Sequence, residues 1–310
     1  MEFSHKPVLL QECIDGLNIR ENKKYVDGTL GGAGHSLEIA KKLNNTGMLI
    51  GIDRDEEALE VAKKRLNEFT NIKFVHGNHD NIKEILQELK IEGVDGILLD
   101  LGVSSYQIDE PSRGFSYMKD AKLDMRMDKT QELTAEYIIN NYKEEELSRI
   151  IYEYGEEKFS RQIARKICEE RKNKKIQTTK ELVQIIESVV PKYTKKQEGH
   201  PAKRTFQAIR IEVNDEISPL YNTVINSINA LNKGGRLCII TFHSLEDRAV
   251  KKAYTDSIGK CTCPKELPYC ICNKKELGKI INKKPILPSK EECEQNSRSK
   301  SAKLRIFEKT

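Results

Sequence analysis

Along the first hundred residues, apolar positions follow two periods in turn. Residues 24–27 form a short apolar stretch ending at glycines, 47–53 (GMLIGID) a continuous one, and 72–75 and 94–99 (VDGILL) two more. Unbroken apolar runs of this length, bounded by turn residues, predict strands buried on both faces. Between them the period lengthens to that of a helix. Residues 36–43 predict one helix with Ser36 as its N-cap, residues 55–68 a second with Ala58, Val61, Ala62 and Leu66 on one face, and residues 81–89 a third. Strand and helix in alternation predict an α/β fold with a doubly wound, mostly parallel sheet. The series resumes at 235–242 (GRLCIITF), and 302–307 (AKLRIF) predicts a last strand.

Between the fourth strand and Gly235 the texture is helical. Phe159, Ile163 and Ile167 step by four along a helix expected over 153–170. A second helix is expected over 179–189, capped by Thr178 or Thr179, and residues 206–213 continue in the same style. The simplest account is an all-helical domain at 107–215 inserted into a core made of 1–106 and 216–310. Residues 256–300 are charged, aperiodic and broken by Pro264, Pro268, Pro285 and Pro288.

Composition changes this picture in one respect. The chain has 310 residues and a formal charge of +5, from 53 Lys and Arg against 48 Asp and Glu. That charge is concentrated: residues 171–210 hold 11 basic and 3 acidic side chains, and 256–310 hold 13 and 7, leaving the rest acidic. Two basic islands on an acidic body suit either a protein that meets nucleic acid at particular places or a lysine-decorated surface. No apolar run nears the roughly 18 residues of a membrane span, and MEFSHKPVLL is not a signal peptide. Eight Cys are sparse for a secreted disulfide scaffold, so a soluble cytoplasmic protein is expected.

Candidate chemistry begins at residues 25–36, YVDGTLGGAGHS. A strand ends in a carboxylate, glycines follow at 28, 31, 32 and 34, and a helix begins. Asp53, 19 residues beyond Gly34 at the end of the next strand, stands where an acid accepts both hydroxyls of a cofactor ribose. The loop spells neither the dinucleotide nor the triphosphate glycine pattern. Asp27 beside it would repel a pyrophosphate but welcome the amino group and sulfonium of S-adenosylmethionine. Asp100 ends the fourth strand in DGILLDLGVSSYQ and faces the same crevice, where it can accept a hydrogen bond from a substrate amine, with Ser104 and Ser105 nearby.

The motifs HKPVLL at 5–10, VDGTLGGAGHS at 26–36, GIDRD at 51–55, DGILLDLGVSS at 95–105, RGFSYM at 113–118, LDMRMD at 123–128, RTFQAIRI at 204–211 and FHSLEDR at 242–248 run in order along the chain. Together they resemble the bacterial cytosine-N4 methyltransferases of small-subunit (16S) ribosomal RNA. The resemblance implies a class I, Rossmann-like methyltransferase core with an inserted helical substrate domain. It also implies methyl transfer from S-adenosylmethionine to the exocyclic N4 amine of a cytidine in the ribosomal decoding region. Carried onto matching positions, cofactor contacts fall to Ala33, Gly34, His35, Asp53, Asp100 and Gln107, and to His79, where relatives commonly have Phe. The partner implied is small-subunit ribosomal RNA, free or in the assembled subunit.

Cytosine N4 is a poor nucleophile because its lone pair is conjugated with the ring, so the site must orient it and accept its hydrogen bonds. The D/N/S-P-P-Y/F loop of many amine methyltransferases is absent here. The corresponding residues are Asp100-Leu101-Gly102-Val103, which leaves Asp100 as the catalytic acceptor. The target base must be unpaired or flipped. Phe115 and Tyr117 are stacking candidates, and Arg113 and Arg126 candidates for phosphate or base. Lys172, Lys174, Lys175, Lys195, Lys196, Lys203 and Arg204 would hold the RNA backbone. His243, Ser244, Glu246 and Asp247 either close the crevice or form a salt-bridged turn. Cys261, Cys263, Cys270 and Cys272 could hold a structural zinc, although their C-x-C spacing is not the usual C-x-x-C. A non-catalytic RNA-binding assembly factor and a nicotinamide-dependent dehydrogenase are the alternatives. The intact cofactor acids disfavour the first and the glycine spacing the second.

Overall fold

The computed structural model describes residues 7–191, 199–259, 263, 269 and 275–310. In chain order the first elements are α1 (Leu10–Leu17), β1 (Lys24–Asp27), α2 (Gly34–Leu43), β2 (Met48–Asp53), α3 (Glu56–Arg65), β3 (Ile72–His76), α4 (Ile82–Glu88) and β4 (Val94–Asp100). A helical series follows: α5 (Ser105–Asp109), α6 (Ala135–Asn141), α7 (Glu144–Glu153), α8 (Ser160–Asn173), α9 (Thr179–Val189) and α10 (Ala202–Asn214). The chain ends with α11 (Leu220–Ala230), β5 (Leu231–Thr241), α12 (Ser244–Ser257), β6 (Gly278–Ile280), α13 (Lys290–Gln295) and β7 (Lys303–Lys309). It divides into two compact units, one of Met1–Gly102 with Ile217–Thr310 and one of Val103–Glu216.

The first unit is built on a seven-stranded sheet in the order β3-β2-β1-β4-β5-β7-β6. Strands β1 to β5 pair in parallel, and β7 runs antiparallel between β5 and β6. Parallel strands covered by helices on both faces must be apolar on both, and Leu49, Ile50, Ile97, Leu98, Leu99, Ile239 and Ile240 are all fully buried. Register places the carboxyl ends of the central strands side by side: Asp27 stands opposite Gly51 on one flank and Leu98 on the other. The order reverses at β1, with β2 on one side and β4 on the other, and a crevice opens outside such a switch point.

Helix α2 starts two residues before the expected position. Its N-cap is Ala33, in the left-handed region at φ 57°, and Ser36 lies inside the helix with its hydroxyl turned to Asp27. β6 is a strand that the sequence pattern did not predict. It is only three residues long, too short for a period to register.

The second unit packs a core of its own around Ile138, Ile150, Ile163, Ile167, Leu182 and Ile209. The helix expected over 153–170 begins later, as α8 at Ser160, and residues 154–159 form the turn that separates it from α7. The break has a local cause: Glu156 adopts a φ of 51°, and a Cβ on Gly155 would lie 2.6 Å from the Ile151 carbonyl oxygen. Helix α9 opens with a capping box in which Thr178 and Glu181 satisfy each other's backbone amides. No helix among the described residues is long and apolar enough to cross a membrane.

Candidate cofactor site

The glycine loop is held from below by Asp27. Its Oδ2 accepts the Ser36 hydroxyl at 2.6 Å and its Oδ1 the Thr29 amide at 3.2 Å. Asp27 is 1% exposed, and burial pushes its carboxyl up. Both oxygens being engaged, Asp27 braces the loop and acts on a ligand through its charge. Gly34 permits a close approach from another direction: a Cβ there would lie 2.2 Å from Pro7 Cγ. The segment entering α1 therefore packs directly on the loop.

Asp53 closes the loop from the side. Its Oδ2 accepts the Gly31 amide at 2.7 Å and its Oδ1 the Asp55 amide at 2.9 Å. Burial lifts this carboxyl to about 6 against the help of those two amides. A carboxylate has about four lone-pair sites, so two remain for ribose hydroxyls.

Asp100 ends β4 with its backbone amide donated to Thr29 Oγ1 at 2.6 Å, which ties it to the same loop. Its Oδ1 is buried with no hydrogen-bond partner among the described residues. Burial, then the neighbouring charges of Asp27 and Glu246, push this carboxyl up to about 8. Glu246 sits in the turn after β5, where its Oε2 accepts the Phe242 amide at 2.7 Å and the His243 amide at 3.2 Å. The same turn sends Asp247 elsewhere: its carboxylate takes Arg305 Nε at 2.6 Å and Lys303 Nζ at 3.4 Å on β7.

His35 is buried in the first turn of α2. Its Nε2 donates to the Val8 carbonyl at 3.0 Å and its Nδ1 lies 3.8 Å from Asp100 Oδ2. Burial pushes the imidazole down to about 4. His79 follows β3 and backs onto the loop, since a Cβ on Gly28 would lie 3.1 Å from the His79 Cβ. It too is held down to about 4, chiefly by burial, with Asp80 acting the other way. The core unit thus gathers Ala33, Gly34, His35, Asp53, His79 and Asp100 at one end of its sheet. Gln107 belongs to the other unit, where it closes a capping box with Ser104 at the start of α5.

In that helical unit four expected RNA contacts are engaged within the protein itself. Arg113 is 2% exposed, and its Nη2 donates to the carbonyls of Arg126 and Met127 at 2.9 and 3.0 Å. Arg126 grips Asp124 through Nε and Nη2 and donates Nη1 to the carbonyls of Lys129 and Gln131. Phe115 is part of the unit's core, and Tyr117 stacks on His200 with ring centroids 4.7 Å apart. The arrangement has a physical reason. Residues 113–128 fold back so that the Met125 amide meets the Arg113 carbonyl at 3.0 Å, and the carbonyls buried by that fold need donors.

Part of the basic island is ion-paired at the surface: Lys174 pairs with Glu181 and Lys175 with Glu136, each at 2.6 Å. Arg204 Nη1 lies 3.3 Å from the Glu156 carbonyl, while Lys172 and Lys203 are exposed with no side-chain partner among the described residues. Lys195 and Lys196 lie outside the described residues. So do Cys261, Cys270 and Cys272, so that of the four zinc candidates only Cys263 lies within them.

The residue that sequence reasoning missed is Val8, whose carbonyl orients His35. Its signal was present in HKPVLL, but a backbone acceptor leaves no residue-type signature.

The chain is similar to known proteins along its whole length. The profile of the MraW methylase family matches residues 2–310. A ribosomal RNA small subunit methyltransferase H from Clostridium botulinum (strain 657 / Type Ba4) is 60% identical over 309 residues, covering 100% of both chains. The protein of that name from Clostridioides difficile (strain 630) is 54% identical over 310 residues, again covering 100% of both. A solved rRNA methylase from Streptococcus thermophilus aligns with 98% of this chain and 97% of its own at 12% identity, with a TM-score of 0.42.

Proposed function

Because the chain belongs to the MraW methylase family, we propose that it transfers a methyl group from S-adenosylmethionine to the exocyclic N4 amine of a cytidine in small-subunit ribosomal RNA. The observation that carries this reading is the buried Asp100 Oδ1. An acceptor without a donor, at the end of β4 beside the glycine loop, is reserved for an N–H that a ligand brings. The charges that bear on it are negative, which suits a cationic cofactor.

The donor set fits S-adenosylmethionine residue by residue. Asp53 has free lone pairs for ribose hydroxyls, the loop at Gly31 and Gly32 leaves room for close backbone approach, and His79 offers a neutral ring beside Gly28. When bound, the cofactor supplies an electrophilic methyl group on a sulfonium. Asp100 then has two tasks. It accepts a hydrogen bond from N4, turning the amine so that its lone pair leaves ring conjugation, and it takes the proton that N4 sheds as the new bond forms. A carboxyl held at about 8 is protonated near pH 7, so it takes that proton on one oxygen as it releases one from the other. Lys172 and Lys203 are the residues of the helical unit left to meet the RNA backbone.

The test is nucleoside mass spectrometry after incubation with S-adenosylmethionine, using naked small-subunit rRNA and assembled small subunits as separate arms. N4-methylcytidine in either arm supports the reading, and the productive arm identifies the substrate. Cofactor binding with no methylated cytidine in either would leave an RNA-binding protein with a retained fold. Asp100→Asn is expected to lower the rate at least about 100-fold, the scale of a lost acid–base group.

A further inference from the structure

Resting on that reading, we propose that His35 is the positioning residue of Asp100. Aimed by the Val8 carbonyl, it fixes which carboxyl oxygen meets the target amine and draws the reaction proton out through the other. The geometry starts with tautomer. A carbonyl oxygen can only accept, so His35 Nε2, 3.0 Å from Val8 O, carries the ring proton, and Nδ1 bears a lone pair. That lone pair faces Asp100 Oδ2 at 3.8 Å. Two lone pairs facing one another repel, so the stable arrangement places one proton between these atoms. With that proton on Oδ2, the remaining oxygen, Oδ1, is the buried acceptor that no protein group satisfies.

The charges facing Asp100 agree. Asp27 on β1 and Glu246 after β5 both raise it, His35 on α2 is held neutral by burial, and Cys13 on α1 is buried as a thiol. The neutral pair, carboxylic acid and imidazole, is therefore the resting form near pH 7.

The step balances within these groups. The S–CH3 bond breaks with its electrons remaining on sulfur, and the N4 lone pair forms the N–C bond. N4 then loses a proton to Oδ1 while the Oδ2 proton moves to His35 Nδ1. The net result is an N-methylated base, a neutral thioether and an imidazolium still bonded to Val8 O. Closing 3.8 Å to hydrogen-bond range takes a side-chain movement of under about 1 Å. The arrangement also gives the HKPVLL segment a task. Pro7 packs on Gly34, Val8 orients His35, and the Leu9 amide is anchored to Glu292 Oε1 at 2.8 Å.

The experiment measures kcat against pH with the rRNA substrate, and S-adenosylmethionine affinity by calorimetry, in the full chain. His35→Gln keeps a donor for Val8 O and an acceptor towards Asp100 but takes no proton. At saturating S-adenosylmethionine its kcat should fall about 100-fold, beyond any change in cofactor Kd that calorimetry reads separately. His35→Ala should lose activity similarly and recover at least about tenfold with added imidazole, in a pH-dependent manner. The outcome that overturns the proposal is His35→Gln with wild-type kcat and pH profile. A loss confined to cofactor affinity, or an alanine variant that folds, binds cofactor and ignores imidazole, overturns it equally. Wild-type protein that binds cofactor but methylates no cytidine removes the functional reading itself and this inference with it.

Discussion

Asp53 accepts the amide of Gly31 at 2.7 Å, joining the end of β2 to the glycine loop across 22 residues of sequence. The carboxylate thus shapes the loop before any ligand arrives and keeps its remaining lone pairs for ribose hydroxyls. Charge-assisted hydrogen bonds contribute about 1.5–3 kcal/mol each, so Asp53→Ala should raise the S-adenosylmethionine Kd by about 10- to 100-fold or more. Asp53→Asn, which keeps an acceptor for Gly31, should fall between. Calorimetric titration decides this, and an alanine variant of unchanged affinity would remove Asp53 from the ribose site.

Titration of the same crevice should appear in stability. Burial raises Asp53 to about 6 and Asp100 to about 8, above the value near 4 of an unfolded aspartate. Groups raised on folding contribute stability that is complete below the unfolded value and is lost as pH rises through the folded ones. The ligand-free protein should therefore lose melting temperature between pH 5 and 9, and a cationic ligand should restore more of it at the alkaline end. Asp100→Asn removes the part centred near 8. Scanning calorimetry across that range, with and without S-adenosylmethionine, measures both effects. Identical pH dependence in wild type and Asp100→Asn would show that Asp100 is not the titrating group.

His79 tests how tightly the adenine side is specified. It lies against Gly28, is held neutral by burial, and has the Asp80 carboxylate 3.7 Å from its Nε2. If it serves as a flat apolar ring, His79→Phe should leave cofactor Kd within about threefold, while His79→Ala should raise it about 2- to 12-fold, the scale of one aromatic contact. A large loss in His79→Phe would mean that a ring nitrogen is used. Calorimetry again separates the two.

The strands and the cofactor acids were legible because they follow period and position. Unbroken apolar runs mark buried parallel strands, and the acids at strand ends fall at the switch point by topology alone. What stayed hidden was three-dimensional in a stricter sense. Ser36 reads as an N-cap, yet its hydroxyl serves Asp27, because Ala33 takes a left-handed backbone that residue type does not advertise. Val8 contributes only a carbonyl, and Arg113 reads as an RNA ligand because a buried guanidinium and an exposed one share one letter. The apolar spacing of Phe159, Ile163 and Ile167 marks the face of α8 but not its start, which the left-handed Glu156 sets.

The helical unit therefore separates fold-keeping charges from RNA-facing ones. Arg113 is buried and bonded to two carbonyls, and Asn214 receives the Met127 amide while donating to the Met125 and Arg210 carbonyls, all at 2.8 Å. Removing either side chain strands buried backbone groups, so Arg113→Ala and Asn214→Ala should each destabilise the unit by about 2–4 kcal/mol. Lys203 is exposed with no side-chain partner among the described residues, so Lys203→Ala should leave stability within about 0.5 kcal/mol. If Lys203 meets a phosphate, the same variant weakens rRNA binding and lowers the slope of log affinity against log salt by about one. Denaturant midpoints and binding titrations at several salt concentrations measure the two quantities independently. An Arg113→Ala protein of unchanged stability, or a Lys203→Ala protein with an unchanged salt slope, would reverse the respective assignment.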